Sequence, residues 1–517
     1  MRFAAPLTSL LTVAITTTSV ICSPAVSGAD LACSELMKCN PSLSIITPSS
    51  NATYYTQAKN GGYNPLNNKL SPSCIVQPVT TADVATAMAT IYRTKSRYAV
   101  RAGGHTGMAG WDSTQGGILI DFSKMTKFAY NKLAGSVSVQ PGLRWGDIYA
   151  KAEQYGVCPM GGRVEHVGTG LILGGGLSLL SPQYGYACDG LMSVDVVLVD
   201  GTIKHVTAQS DPTLFRAIKG GGGRFGIVTN YQLRAFPTGH NTDKNWYGGS
   251  ITTLTPAGMD QLVQVTEKFT ATPDDPKATV LTNVGMIKQA GVPLYLGNTY
   301  LFYKGTQQEF NTVFKDFLSI PGSIPVLKPM SYLEAAATVP LGWKNTQAYK
   351  WIGGSLYPNS TLSSTSNLQI PLISPSPNLP IKWLKTWSNV KQFLVKHQDV
   401  LESGFFSITP VRSNQVEKGY QAGGNALTPP QGEQYMHWLF SQILAEGTTS
   451  FPNQFEQDRI EFLNQNPSDP HLPLFLNEVD VSQKTFQSYG WYREFQTEYS
   501  NVDPKAFSLK YQQGPMF

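Results

Sequence analysis

Three glycine clusters within some 130 residues constrain this chain more than any other feature: RAGGHTGMAG (101–110), GGRVEHVGTGLILGGG (161–176) and KGGGGRFGIVT (219–229). Glycine has no Cβ, so its backbone can approach a ligand closely and can take up positive φ. Successive N–H groups in such loops form a concave site for an anion such as a pyrophosphate. Turns alone do not account for three loops of this kind so close together. The first cluster also holds His105, the only histidine in the first 160 residues. A glycine-rich, phosphate-cradling region with one loop histidine points to a bound nucleotide cofactor, without saying which.

The elements between the clusters set the fold class. CIVQPV, YAVRAG, GILIDF, SVSVQPG, VDVVLVDG and KHVTA read as strands from their β-branched content and turn punctuation, and TADVATAMATIYRTK and WGDIYAKAEQYG read as helices. Gly221, Gly223 and Gly226 satisfy GxGxxG, but a helix-like DPTLFRAIKG precedes them and a strand-like GIVTNYQLRAF follows. The dinucleotide fingerprint needs the opposite order, strand before and helix after, so a doubly wound dinucleotide fold is disfavoured. Beyond Pro237 the glycine clusters fade. KATVLTNVGMI, PLYLGNTYLFY and SGFFSITPVRS read as strands, while TPAGMDQLVQVTEKFTA and FNTVFKDFLSI read as helices. That alternation predicts an antiparallel sheet with helices on one face. PNSTLSSTSNLQIPLISPSPNLP reads as an exposed connection. The fold class expected is α+β.

Composition narrows the partners. The net charge of +5 is spread over 517 residues with no Lys/Arg run, which argues against nucleic acid. Residues 1–29 have the pattern of a secretory signal peptide, and no later segment is apolar and long enough to span a membrane. The expectation is a soluble, secreted, monomeric protein. Five cysteines remain after residue 29, namely Cys33, Cys39, Cys74, Cys158 and Cys188. An odd number leaves at least one thiol unpaired, and Cys33 or Cys39 could pair with Cys74. Asn51 and Asn359 head N-x-S/T triplets and are candidate glycosylation sites. The seven histidines show no metal-ligand spacing, so no metal is expected.

The order RAGGH, GGILIDFSKM, VQPGLRWGDIYAKAEQYG, VGTGLILGGGLSLLSPQYGYACDG, FRAIKGGGGRFGIVT closely resembles the FAD-linked oxidases of the vanillyl-alcohol oxidase and p-cresol methylhydroxylase superfamily, and within it the berberine-bridge-enzyme-like group. The resemblance is strong over about residues 70–237 and weaker in PLFLNEVD and NVDPKAFS near the end. It implies FAD as cofactor. His105 matches the histidine that bonds covalently to the flavin in this family. Arg101, Ala102, Gly103, Gly104, Thr106 and Gly107 match the pyrophosphate loop, Gly168, Thr169, Gly170, Gly174 and Gly175 the second cofactor segment, and Gly226, Ile227 and Val228 the third. Two departures stand out. Val164 occupies the place of a cysteine that forms a second flavin link in many relatives, so a single covalent bond at His105 is expected. A family Tyr-x-Asn is here Phe475-Leu476-Asn477, with Asn477 retained as a cofactor contact. Phenylalanine cannot accept a proton, which leaves Glu478 and Tyr435 as candidate bases.

The resemblance also implies an architecture. Residues 70–237, in two subdomains and joined by a returning segment 471–517, are expected to bind FAD. Residues 30–69 form an N-terminal segment, and residues 238–470 a substrate domain with an antiparallel sheet and helices. The activity implied is that of an oxidase. It would take hydride from a small organic substrate, an alcohol or phenolic natural product, and reduce O₂ to H₂O₂. A carbohydrate oxidase acting at the anomeric carbon is the second reading, and a flavin-carrying protein with little turnover is the third.

Overall fold

The computed structural model describes residues 27–340, 344–358 and 382–517. Most of the signal-like stretch, Asn359 and nearly all of the Ser/Pro-rich connection lie outside the described residues. The chain forms three main sheets. The first has four strands, in the spatial order Ser44–Ile46, Cys74–Gln77, Ile118–Asp121, Tyr98–Arg101, and its last three run parallel. CIVQ and ILID are buried at all four positions. Such unbroken apolar runs belong to parallel strands covered on both faces.

The helix Thr81–Thr94 supplies one cover. Its first turn is closed by a reciprocal capping box between Thr80 and Asp83, and Val84, Ala87, Met88 and Ile91 bury its inner stripe. The helix packs on the second sheet as well as the first. That second sheet is antiparallel, in the order Phe128–Asn131, Ser136–Val139, Ile227–Arg234, Leu191–Val197, Ile203–Thr207. A disulfide between Cys33 and Cys74 ties the N-terminal helix Gly28–Cys39 to the first sheet. Among the described residues Cys39, Cys158 and Cys188 are free thiols.

The third sheet has seven antiparallel strands, ordered Ile324–Met330, Trp246–Thr253, Val292–Tyr303, Ala278–Gln289, Leu401–Val411, Tyr435–Leu444, Tyr349–Leu356. One face carries Val280, Val284, Met286, Phe406, Ile408 and Phe440. It packs on the helices Pro256–Ala271, Lys382–Lys396 and Asn453–Gln465, into which Trp383 and Trp387 are fully sunk. The FNTVFKDFLSI helix runs as two pieces, Gln307–Val313 and Lys315–Leu318. The break falls at Phe314, whose ring is buried beside both Phe310 and Phe317.

The final residues return to the glycine-rich half. Phe507 packs against Tyr92 and Tyr98, and Arg224 of the third glycine cluster is buried beneath the chain end. Its guanidinium donates to the carbonyls of Ser508 (2.6 Å), Gln512 (3.1 Å) and Pro515 (2.9 Å). No helix among the described residues is long and apolar enough to cross a membrane.

Candidate functional site

All three glycine clusters and the uncovered face of the seven-stranded sheet converge on one cavity of about 610 Å³. That is within the size range of small-molecule and cofactor pockets. Its walls include Ala102, Gly103, Gly104, His105 and Thr106 from the first cluster, and Gly168, Gly170 and Gly174 from the second. The third contributes Gly226, Ile227 and Val228, and the C-terminal segment Asn477 and Glu478.

Four residues expected at the cofactor stand one step back and hold those walls. Arg101 is buried in an ion pair with Asp121 and donates to the carbonyls of Ala58 and Lys59, which fixes the end of the strand feeding the first loop. Gly107 lies against Trp351, where a Cβ would come within 2.6 Å of the indole. The Thr169 hydroxyl donates to the Pro141 carbonyl at 3.2 Å. Gly175 has φ +107, a conformation that side chains rarely adopt.

The first two loops meet backbone to backbone. A Cβ on either Gly103 or Gly168 would overlap the backbone N of the other, so both must be glycine. Arg144 stitches the junction by donating to the carbonyls of Gly103 and His166. The Trp145 indole adds a bond to the Gly168 carbonyl at 3.1 Å. Asn477 ties in the C-terminal segment, donating to the Leu171 carbonyl (3.1 Å) and accepting from the Gly176 N–H (3.3 Å). Gly170 has nothing within 4 Å of where a Cβ would stand, and it opens on the cavity.

His105 stacks on Tyr63 with ring centroids 4.0 Å apart, and the Tyr63 N–H donates to the Gly104 carbonyl. Its Nε2 is buried without a hydrogen-bond partner. Burial, with the charges of Arg144 and His166, lowers its pKa to about 3. At neutral pH the imidazole is therefore uncharged and keeps a free lone pair.

The candidate bases separate. Glu478 is on the cavity wall, where it accepts from Arg163 at 3.2 Å, and Arg163 also donates to Thr409 Oγ1 at 2.9 Å. Burial raises the Glu478 carboxyl and the Arg163 charge opposes that rise. Tyr435 is not on the wall. Its hydroxyl is fully buried and bonds Tyr186 at 2.6 Å, within a chain that continues to His437 Nε2 (2.8 Å) and from His437 Nδ1 to Ser355 Oγ (2.8 Å). Ser355 donates onward to the Pro473 carbonyl at 2.6 Å. Hence His437 Nδ1 donates to Ser355, Nε2 accepts from Tyr186, and Tyr435 donates to Tyr186. Tyr435 is thus held in this buried chain, behind the wall residue Phe475. Phe475, the ring in place of the family tyrosine, is on the wall and stacks on His437 at 5.1 Å. Val164 is on the wall too.

Two cavity groups were absent from the sequence reading. Arg163 is the one arginine of the second glycine cluster and belongs to no motif of its own. Asp112 lies beside the first, buried, with neither carboxylate oxygen hydrogen-bonded, and burial pushes its carboxyl up to about 6 against the pull of Arg101. A GxGx-style motif search has no place for either.

The buried His437 makes a pH prediction. Burial, then the Arg163 charge, lowers its pKa to about 3 from an ordinary 6.5. The folded state thus binds fewer protons than the unfolded chain below pH ~6.5, and stability falls as pH drops from there toward about 3. Thermal unfolding should show a falling Tm over that window, with a smaller slope in His437→Gln. An unchanged slope in the variant would remove His437 as a source of the acid sensitivity.

The fold and this cavity are similar to those of FAD-binding proteins. Residues 72–207 match the model of an FAD binding domain. A carbohydrate oxidase from Microdochium nivale superposes with TM-score 0.71 at 20% identity, covering 94% of this chain and 100% of the other. A berberine bridge enzyme variant superposes with TM-score 0.73 at 17% identity, covering 95% and 100%. In sequence, the chain is 35% identical over 234 residues to the FAD-dependent monooxygenase drtC of Aspergillus calidoustus, covering 44% of this chain and 43% of that protein. It is 26% identical over 459 residues to the FAD-dependent monooxygenase yanF of Aspergillus niger, covering 87% and 74%. At 30% identity or more, the chain spans about half the length of the curated relatives it matches. Residues 72–207 match an FAD-binding domain, as the motifs of this part of the chain implied, and the similarity to proteins named FAD-dependent monooxygenases extends beyond it.

Proposed function

We propose that this protein is an FAD-dependent oxidase that takes hydride from a small organic substrate, with the cofactor tethered by one covalent bond at His105. The observation that carries the reading is the convergence of three glycine loops and a substrate-sized sheet face on one cavity, with an uncharged, unpartnered His105 Nε2 at the junction. The residues present fit FAD. Gly103, Gly104 and Gly168 let the loops that line the cavity pack closely on their neighbours, and Gly170 leaves room where a side chain would intrude. When bound, FAD supplies the two-electron acceptor, and the protein supplies orientation and electrostatics.

The chain's own residues supply the rest. Hydride leaves from the carbinol carbon of an alcohol, or from a benzylic carbon para to a phenol, as the hydroxyl gives up its proton, and Glu478 is a carboxylate on the wall beside Arg163 placed to take that proton. Arg163 holds that carboxylate in position and stabilises the negative charge that develops on the substrate oxygen. Phe475 and Leu476 keep water from this corner. Reoxidation by O₂ to H₂O₂ completes the proposed cycle. Secretion through a cleaved N-terminal leader belongs to the same reading and is supported by the residue pattern of positions 1–29 and by the Cys33–Cys74 disulfide.

Purified protein should be yellow, with a band near ~450 nm as in ordinary flavin chemistry. Acid precipitation of the unaltered protein should leave flavin in the pellet, whereas His105→Ala should release it to the supernatant. Flavin retained in the His105→Ala pellet would refute the tether, and colourless protein would refute the cofactor.

A further inference from the structure

The last residues of the chain reach the cavity and bring an amide to it. Residues 512–517 touch both the first and the third glycine cluster. A Cβ on Gly110 would overlap the Gln513 amide, and Trp111 is held between Gly222 and Gly514, on each of which a Cβ would come within 2.9 Å of the indole. Arg224 pins this stretch through the carbonyls of Ser508, Gln512 and Pro515, and Phe517 packs among Phe225, Phe486, Phe495 and Tyr499. Within that clasp the Gln512 side chain stands on the cavity wall beside Gly223, its Nε2 3.4 Å from where a Cβ of that glycine would be. Gln512 is only 5% exposed, and its Oε1 is buried with no hydrogen-bond partner.

A buried acceptor without a partner costs free energy, so the group that belongs opposite Gln512 must carry a donor. A pyrophosphate carries none at neutral pH. A side-chain amide sets a donor beside its acceptor, and adenine is its complement, with the N6 amine next to the N7 acceptor. The wall nearby suits a flat base. Val100, Ala102, Phe122 and Ile227 line the cavity and belong to the same apolar cluster as Phe507 and Tyr511, which lead into Gln512. The first glycine cluster meets Tyr63 and Trp351 at His105 and Gly107, and the chain end at Gly110 and Trp111. The histidine and the amide therefore stand toward opposite ends of that loop. Resting on the FAD reading above, we propose that Gln512 reads the adenine edge of the cofactor, and that the chain end thereby selects the flavin dinucleotide over FMN.

The test is calorimetric titration of the full-length His105→Ala protein, freed of its flavin by dialysis, with FAD, FMN and the FAD analogue whose adenine is replaced by purine, which lacks the N6 amine. Adding Gln512→Met, close in size but without the amide, should weaken FAD about tenfold and leave FMN within about twofold. The purine analogue should bind the Gln512 protein about as weakly as FAD binds the Met variant. Gln512→Ala serves as a second variant should the first not fold. Unchanged FAD affinity, equal weakening of FAD and FMN, or a purine analogue that binds as tightly as FAD would each overturn the proposal. The spectrum of the unaltered protein as purified separates the two readings: colourless protein removes the cofactor and this proposal with it, whereas yellow protein with any of those three results removes this proposal alone.

Discussion

Gly168→Ala should abolish flavin incorporation and destabilise the fold by about 3 kcal/mol, the upper end of what overpacking usually costs. The added methyl would overlap the backbone N of Gly103, and neither loop can yield. Arg144 and the Trp145 indole fix one side, and the Arg101–Asp121 pair anchors the strand on the other. The neighbouring Gly170→Ala should behave in the opposite way. Its methyl meets no protein atom within 4 Å, and Ala is favoured over Gly in the short helix it begins. Its protein without flavin should therefore melt at or above the parent's Tm, while flavin content on purification falls, because the methyl projects into the cavity. If Gly168→Ala bound flavin normally, the two loops would not be in the contact described. If Gly170→Ala were fully loaded, Gly170 would not be facing the cofactor.

That contrast also marks what could be read from the sequence. Residue type alone reveals a demand for close backbone approach, because only glycine meets it, so the loops around Gly103, Gly168 and Gly226 were legible. His105 stands out among them as a lone bulky, nucleophilic side chain, and it lies on the cavity wall. Arg163 was not legible. Its partners Thr409 and Glu478 stand 246 and 315 positions away in the chain, and no local pattern encodes such a meeting. Tyr435 shows the converse case. It has the same strand parity as Leu439 and Ser441, both on the wall, so its type and side fit a base. It stands four residues further along, about 13 Å at the usual strand rise, where Tyr186 and the Pro473–Phe475 stretch cover the sheet. Alternation gives the face of a strand and says nothing about where along it the cover begins.

Lys219→Met should be the most costly single change at a charge, by about 3–5 kcal/mol, since it strands a buried carboxylate. Lys219 and Asp189 are almost wholly enclosed, with Nζ and Oδ1 3.9 Å apart. Asp189 accepts from the Tyr186 N–H at 2.9 Å and from the Asn425 side chain at 3.0 and 3.2 Å. These neutral donors leave its charge uncompensated once the lysine is gone. Asp189 lies just beyond the second glycine cluster and Lys219 opens the third, so the pair clamps two of the three cofactor loops, and flavin content should fall with stability. Burial already raises the Asp189 carboxyl, with Lys219 opposing it, so the variant's carboxyl rises further. A group whose folded pKa lies above its unfolded value stabilises at low pH and loses that contribution as pH rises. The Tm deficit of Lys219→Met should therefore be smaller at pH 5 than at pH 8, opposite in direction to the acid sensitivity conferred by His437. Adding Asp189→Asn should recover most of the lost stability at pH 8. A deficit independent of pH, and not rescued by Asp189→Asn, would mean that Lys219 acts through packing against Phe215 and not through its charge.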